Sequence, residues 1–462
     1  MSPLTQMLAN HVFAGPRDHS ADLVGMVRRC VLDLVGAAIA GSKTASAVAA
    51  CNMVGPVFGV GNARIWLGAT SAPGGALLCN VMAATALDID DGHRAARGHP
   101  GAAVIPTALL LASELGATGC DLMSAIICGY DVGVRIAAAQ TAEGIRTRQS
   151  GRWAAFASAA TAGRLLRLEP GRLAHALAIA GVLAPNQLAN GSSGYSRMTG
   201  NDVKEGIAWA SVLGLTAARL AESGFTGPVD LLDHANYYDG GRIVGSLGQR
   251  WEIADTYFKP YGCCRYIHPA LDAFREIAGD DMIGADDIVE IEVQTFAWAM
   301  RLANRTDPQT LVDVQYSLPY CMALIAVDGP QALAPLDEGV LGCRELQMLA
   351  GKVRISIDPG LDRSFPAQTL ARVILRTRTL ELVSDVHTPR GEKTRPMDWK
   401  AICNKFEIVT RRRLRQQEQR RIIEAVSALP CDGPAALMAA LEPASAVAGE
   451  AAKAVPANGR AC

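Results

Sequence analysis

The run Ala86-Leu87-Asp88-Ile89-Asp90-Asp91-Gly92-His93-Arg94-Ala95-Ala96-Arg97-Gly98-His99-Pro100-Gly101 constrains this chain more than any other segment. It gathers three carboxylates, two imidazoles and two guanidinium groups between two strongly apolar stretches, in a sequence with only eight histidines among 462 residues. The flanks read as buried helix, and charges placed between them must find partners, because an unpaired charge in an apolar interior is costly. A polar run set where the pattern otherwise says core is a place to expect chemistry. Asp88, Asp91, His93 and His99 offer acids and bases, since imidazole titrates near neutrality and a desolvated carboxylate is tuned upward. Metal ligation and capping of helix ends are the competing readings. An EF-hand is not among them, because no closing Glu follows the Asp-rich start, and no HExxH pair is present.

The flanks set the fold class. Alanine dominates an apolar set with few aromatics, which favours closely packed helices. Helical spacing predicts segments over 20–40, 74–86, 102–115, 120–140, 153–166, 171–180 and 203–222, the last stopping at Gly224-Phe225-Thr226-Gly227-Pro228. After about residue 255 the texture changes. Ile288 to Val293, Val353 to Ile357 and Arg372 to Leu382 alternate as strands, and helical pattern returns over 399–406 and 414–429. The expected architecture is mainly α. A large all-helical domain is built from the N-terminal segment 1–256 and a C-terminal return, 397–441, with a smaller α+β lid domain, 257–396, inserted between them. Residues 442–462, rich in Ala, Pro and Ser, are expected to form a disordered tail.

Charge and cysteine usage narrow the function classes. A formal charge of -1 gives no broad electrostatic footprint for nucleic acid or a membrane surface, so neither is an expected partner. The basic cluster from Arg411 to Arg421 reads as a solvated helix face. The twelve cysteines show no CxxC spacing, and reduced thiols in a cytoplasmic protein are the simplest account. Met1 to Phe13 lacks the basic start and apolar run of a secretory signal. No GxGxxG follows a strand and no Walker loop occurs.

Three further clusters carry chemistry. Lys204 is expected in the first turn of the 203–222 helix, where a cation opposes the helix dipole, so it reads either as a surface Lys or as an anion ligand. Lys259-Pro260-Tyr261-Gly262-Cys263-Cys264-Arg265-Tyr266-Ile267-His268-Pro269 falls at the junction of the two textures, a favoured place for a ligand cleft. Its cations and imidazole suit carboxylates. Cys263, Cys264 and His268 lack a fourth metal ligand at a recognisable spacing, and a packed Cys pair is the simpler reading. In Gln315-Tyr316-Ser317, Tyr316 is either core or a phenolic donor.

Taken in order and spacing, these segments resemble the MmgE/PrpD family over about residues 5–440. The matching stretches are Asp88-Ile89-Asp90-Asp91-Gly92-His93 with His99-Pro100-Gly101, Gly129-Tyr130-Asp131-Val132-Gly133-Val134-Arg135, Gly224 to Pro228, Lys259-Pro260-Tyr261 with His268-Pro269-Ala270-Leu271-Asp272-Ala273, and Gln315-Tyr316-Ser317. The family includes 2-methylcitrate dehydratase, cis-aconitate decarboxylase and iminodisuccinate epimerase. The resemblance implies a helical domain with an α+β lid, a homodimer, no metal or organic cofactor, and a small di- or tricarboxylate substrate. It places Asp88, Asp91, His99, Lys204, Lys259 and Tyr316 in the catalytic set, with His93, Lys204, Lys259 and His268 binding substrate. In that scheme His99 is the acid/base, Asp88 or Asp91 orients it, the lysines clamp carboxylates and Tyr316 delivers a proton or hydrogen bond. The chain departs from the decarboxylase pattern at Gly92, where that pattern has Thr, and at Cys264, where it has His. A citrate-like dehydratase is the leading expectation. A decarboxylase or epimerase is the alternative within the family, and a non-catalytic binding protein on the same fold is the alternative outside it.

Overall fold

The computed structural model describes residues 2–16, 20–147, 149–186, 201–279 and 283–443. The expected disordered tail lies outside these from residue 444 onward, while Glu442 pairs with Arg64 at 2.9 Å. The structure is mostly helical, with small sheets.

The main helices of the first half are Ala21–Gly41, Pro73–Thr85, Pro100–Leu115, Gly119–Ala139, Ala154–Leu165, Pro170–Leu183 and Ile207–Glu222. Their ends carry the expected chemistry. Ser20 and Thr118 accept backbone N–H groups at helix starts, and proline occupies the first turn at Pro73, Pro100 and Pro170. Gly116, at φ 61°, ends the Pro100–Leu115 helix in the left-handed conformation. Alanine lets these helices approach closely, and glycine lets two of them touch: a β-carbon on Gly214 would overlap the backbone of Ala155. The C-terminal helices Trp399–Thr410 and Gln416–Asp432 pack back onto Ala21–Gly41 and Gly119–Ala139 respectively. One apolar core therefore draws on both ends of the chain, from Leu8 to Phe406 and Val426.

Gly119–Ala139 is long and apolar enough to cross a membrane, but it is the buried centre of this core, and its Asp131–Arg135 ion pair at 2.8 Å is sealed inside.

A second core surrounds a four-stranded sheet ordered Val353–Ile357, Ile288–Thr295, Ala371–Thr377, Glu381–Val383. The first pair is parallel and the others antiparallel, with Val293 opposite both Ile355 and Val373. Ile291, Val293, Val373 and Leu375 face helices His268–Ala278 and Leu318–Asp328. The strand expected over Arg372–Leu382 is two strands. The chain reverses where Thr377 Oγ1 accepts the Leu380 N–H at 2.9 Å and Thr377 N–H donates to the Leu380 carbonyl at 2.8 Å.

Candidate active site

The polar run travels along the seam between the two cores. After the Pro73–Thr85 helix the side chains alternate: Leu87 and Ile89 enter the second core, while Asp88 and Asp90 line a cavity of about 190 Å³. Asp88 makes this possible by adopting φ 52°, the left-handed region that Asp tolerates better than most side chains. The run is not wholly loop, because Gly92–His93 pairs with Thr256–Tyr257 as a short antiparallel ladder that brings Lys259 beside Asp88.

Asp88 is the centre of a buried charge cluster. Its Oδ2 accepts from Lys259 Nζ at 2.7 Å, its Oδ1 accepts from Lys204 Nζ at 3.1 Å, and His99 Nε2 lies 3.8 Å from the same Oδ1. Burial opposes the charge on Asp88, yet Lys204, Lys259 and His99 hold its carboxyl well below the usual carboxylate range. Burial likewise disfavours the Lys259 ammonium, and Asp88 and Asp90 more than restore it. Lys204 also donates to the Thr85 carbonyl at 2.8 Å and stands 5.9 Å from the Tyr316 ring centre. Four of the expected residues, Asp88, His99, Lys204 and Lys259, are thus one cluster, with Tyr316 against it.

His99 is oriented by the loop that carries it. Its Nδ1–H donates to the Asp91 carbonyl at 2.7 Å, and Asp90 Oδ2 stands 3.4 Å from the same nitrogen. That leaves Nε2 as the nitrogen free to exchange a proton with a ligand. Burial disfavours the imidazolium, but Asp90 and then Asp88 outweigh it and push its pKa up to about 9. His99 is therefore charged at neutral pH.

The expectation that Asp91 works with its carboxylate on His99 is corrected. Oδ1 accepts the Gly101 N–H at 3.1 Å and Oδ2 accepts the Tyr130 hydroxyl at 2.5 Å. This carboxylate serves the start of the Pro100–Leu115 helix, and its contribution to His99 is a backbone carbonyl. Burial raises the Asp91 pKa to about 7 despite the Tyr130 hydrogen bond. Asp90, which sequence reasoning passed over, is the carboxylate beside Nδ1.

Lys204 is not in a helix. Gly206, in the left-handed region at φ 69°, precedes a helix that begins at Ile207, so Lys204 lies in the turn before it and reaches inward. Glu205 beside it accepts from Ser150 N and Oγ at 3.1 and 2.6 Å, and Ser150 Oγ in turn accepts the His99 N–H at 3.2 Å. The first helical residues, Ile207 and Ala208, line the cavity.

Two expected substrate ligands stand apart from the cavity. His93 Nε2 donates to the Glu252 carbonyl at 3.1 Å, and burial lowers its pKa, so it is a neutral ring fastening the Gly92–His93 ladder. His268 Nε2 donates to the Cys263 carbonyl at 3.1 Å, and Arg265 Nη1 lies 3.3 Å from its Nδ1. Burial and the neighbouring Arg265 hold His268 well below its usual pKa. Its ring closes the turn that follows Lys259 and contacts the Cys263 backbone rather than a thiol. Among the described residues no group of three or more His, Cys, Asp or Glu side chains is arranged to hold a metal ion.

Gly92 has a steric reason. A β-carbon there would overlap the ring of Tyr257, its partner across the short ladder, so Tyr257 excludes any larger residue. A second support was invisible in sequence. Lys405, from the C-terminal return, donates to Asp33 Oδ1 at 2.5 Å and to the Ile89 carbonyl at 2.6 Å, pinning the peptide between Asp88 and Asp90.

A mostly helical scaffold thus gathers a carboxylate, two ammonium groups and an imidazole in one buried cluster beside a cavity. The chain belongs to the MmgE/PrpD family: the MmgE/PrpD N-terminal domain matches residues 6–242 and the MmgE/PrpD C-terminal domain residues 261–430. It is 25% identical over 382 residues to a cis-aconitate decarboxylase of Aspergillus terreus, covering 75% of this chain and 76% of that protein. It is 22% identical over 418 residues to the cis-aconitate decarboxylase-like protein oryM of Aspergillus oryzae, covering 81% and 84%.

Proposed function

We propose that this protein is a lyase that acts without a cofactor on a small di- or tricarboxylate, moving a proton at the carbon next to a carboxylate. The observation that carries the reading is His99 at the wall of the cavity, with Asp90 3.4 Å from its Nδ1, Asp88 3.8 Å from its Nε2 and Lys204 on the same Asp88 oxygen. Charge that develops on a carbon beside a carboxylate needs a nearby cation and a proton donor. A fixed donor of this kind is worth roughly 3–4 kcal/mol by comparison with oxyanion holes, and a positioned acid roughly 10²–10⁴-fold in rate.

Decarboxylation of a cis-aconitate-like acid is the reading the resting site supports best. The C–C bond to the departing CO₂ breaks, its electron pair passes to carbon, and His99 Nε2 gives that carbon the proton it already carries. The names of the relatives agree with this reading. Dehydration of a citrate-like acid has one observation of its own. Asp90 Oδ2 is buried and lies 3.4 Å from His99 Nδ1 without a formed hydrogen bond, so this carboxylate would take the α-proton as its pairing with His99 loosens, while His99 protonates the leaving hydroxyl. In both readings Lys259, already 2.7 Å from Asp88, holds that carboxylate in place beside His99.

The test is incubation of the purified protein in D₂O with cis-aconitate, citrate, 2-methylcitrate and iminodisuccinate, followed by NMR. Decarboxylation releases CO₂ and leaves deuterium on the product carbon, dehydration releases water, and epimerisation exchanges the α-proton with inversion. Absence of turnover and of deuterium uptake with all four acids would refute the proposal.

A further inference from the structure

We infer that this protein carries a second ligand site, separate from the catalytic cavity, which takes a dianionic group borne on a small apolar body and acts on the Asp88–His99 loop through Lys405. The inference is independent of the reaction proposed above. A cavity of about 320 Å³ lies where the C-terminal return meets the 257–396 segment, and it shares no lining residue with the catalytic one. Lys400, Ala401, Asn404, Lys405, Ile408 and Val409 recur at spacings of three and four, so one face of the Trp399–Thr410 helix forms part of it. Pro260, Ala334 and Arg390 reach it from the 257–396 segment. Such a junction is a favoured place for a ligand.

Its charge has the opposite sign to that of the catalytic cavity. There Asp88, Asp90, Asp202 and Glu205 outnumber His99 and Lys204, whereas here Arg390, Lys400 and Lys405 outnumber Asp398. Asp398 is committed to the helix start, accepting the Ala401 N–H at 2.8 Å, and Lys405 is committed to Asp33. Arg390 and Lys400 are exposed, and among the described residues their side chains have no ion-pair or hydrogen-bond partner. Two uncommitted cations match a dianion, and a guanidinium meets phosphate or carboxylate oxygens with two parallel N–H bonds. The next turn of the same helix face carries Ile408 and Val409, and Met397, Pro260 and Ala334 add to this apolar lining, which suits an aryl or alkyl body. Lys405 connects the two sites. It lines this cavity at 5% exposure, and its Nζ donates at 2.6 Å to the Ile89 carbonyl, between Asp88 and Asp90. A ligand that fixes this helix face therefore fixes the loop.

The probes are phenylphosphonate and phthalate, with inorganic phosphate as the anion that lacks an apolar body. Calorimetry on the full chain should show an aryl dianion binding more tightly than inorganic phosphate, and more weakly as salt rises. Preference for phenylphosphonate supports a phosphate monoester as the ligand, and preference for phthalate supports a dicarboxylate. Arg390→Gln and Lys400→Gln should each weaken binding about five- to tenfold. Both side chains are exposed, so neither change opens the core. His99→Gln should leave the affinity for phenylphosphonate unchanged, and hydrogen exchange over residues 86–101 should slow at saturation. Failure of both aryl dianions to bind overturns the site, as does binding that survives the loss of both cations. Binding abolished by His99→Gln places the probe in the catalytic cavity and also overturns it. Binding with unchanged exchange over residues 86–101 overturns the link through Lys405.

Discussion

Replacing Asp88 by Asn removes one negative charge from the centre of the cluster and almost nothing else. Asn is nearly isosteric and tolerates the left-handed φ of 52° at this position, so the backbone stays unstrained. What is lost is the acceptor shared by Lys259 at 2.7 Å and Lys204 at 3.1 Å, together with one of the two carboxylates that keep His99 charged. Breaking a buried ion pair from one side costs about 3–5 kcal/mol, because the remaining charge is left without compensation. Here two ammonium groups are stranded. Lys259, the more deeply buried, relieves part of the cost by giving up a proton, which keeps the expected loss within that range. Asp88→Ala carries the same electrostatic loss plus about 1–2 kcal/mol for placing Ala in the left-handed region. The assay is urea unfolding of wild type, Asp88→Asn and Asp88→Ala at pH 7, with the His99 titration followed by NMR. The expected order of stability is wild type, Asn, Ala, with a His99 pKa below 9 in both variants. An Asp88→Asn protein within about 1 kcal/mol of wild type, with His99 titrating as before, would show that Asp88 does not organise the cluster.

Stability should fall as pH rises. The folded His99 titrates near 9 against an ordinary value of 6.5, so its contribution is complete below pH 6.5 and lost as pH passes 9, a change of about 3 kcal/mol. Asp91, raised from 3.8 to about 7, acts in the same direction at lower pH. His99→Gln should remove the decline between pH 6.5 and 9, and a wild-type profile that is flat there contradicts the assignment. Gly92→Ala should cost about 1–3 kcal/mol through overlap with the Tyr257 ring, and the penalty should vanish in a Tyr257→Leu background. A double-mutant cycle with no coupling would dismiss that contact. Lys405→Met should cost about 3–5 kcal/mol by stranding the buried Asp33. The loss should be smaller at pH 5 than at pH 8, because burial already lifts Asp33 to about 6, and pairing Lys405→Met with Asp33→Asn should recover most of it. Equal losses at both pH values would count against the pair.

Much of the fold was legible because its signals are local. Apolar spacing placed Ala21–Gly41, the helices from Pro73–Thr85 to Ile207–Glu222 and the returning pair Trp399–Thr410 and Gln416–Asp432, but not Ala45–Phe58 or His268–Ala278, and alternation placed the strands Ile288–Thr295 and Val353–Ile357. The loop at Asp88 to His99 stood out because charge there conflicts with its apolar flanks. Helix ends were less certain. Lys204 was read as a first-turn residue because nothing in a linear pattern reveals that Gly206 takes the left-handed conformation.

The sequence by itself determined which segments are helix or strand and which groups are available for chemistry. Only the tertiary structure decided which group meets which. Among three neighbouring aspartates, Asp88 takes both lysines, Asp90 takes the His99 ring and Asp91 turns to Tyr130, because each step along the backbone points the next side chain elsewhere. Two of the three histidines considered, His93 and His268, are satisfied by carbonyls of distant or turn segments. The partners that fix the cluster lie 171 residues away for Asp88 and Lys259, and 372 for Asp33 and Lys405. Charge pairing acts through space, whereas propensity and periodicity act along the chain, so the elements could be read in order but their electrostatic partners could not.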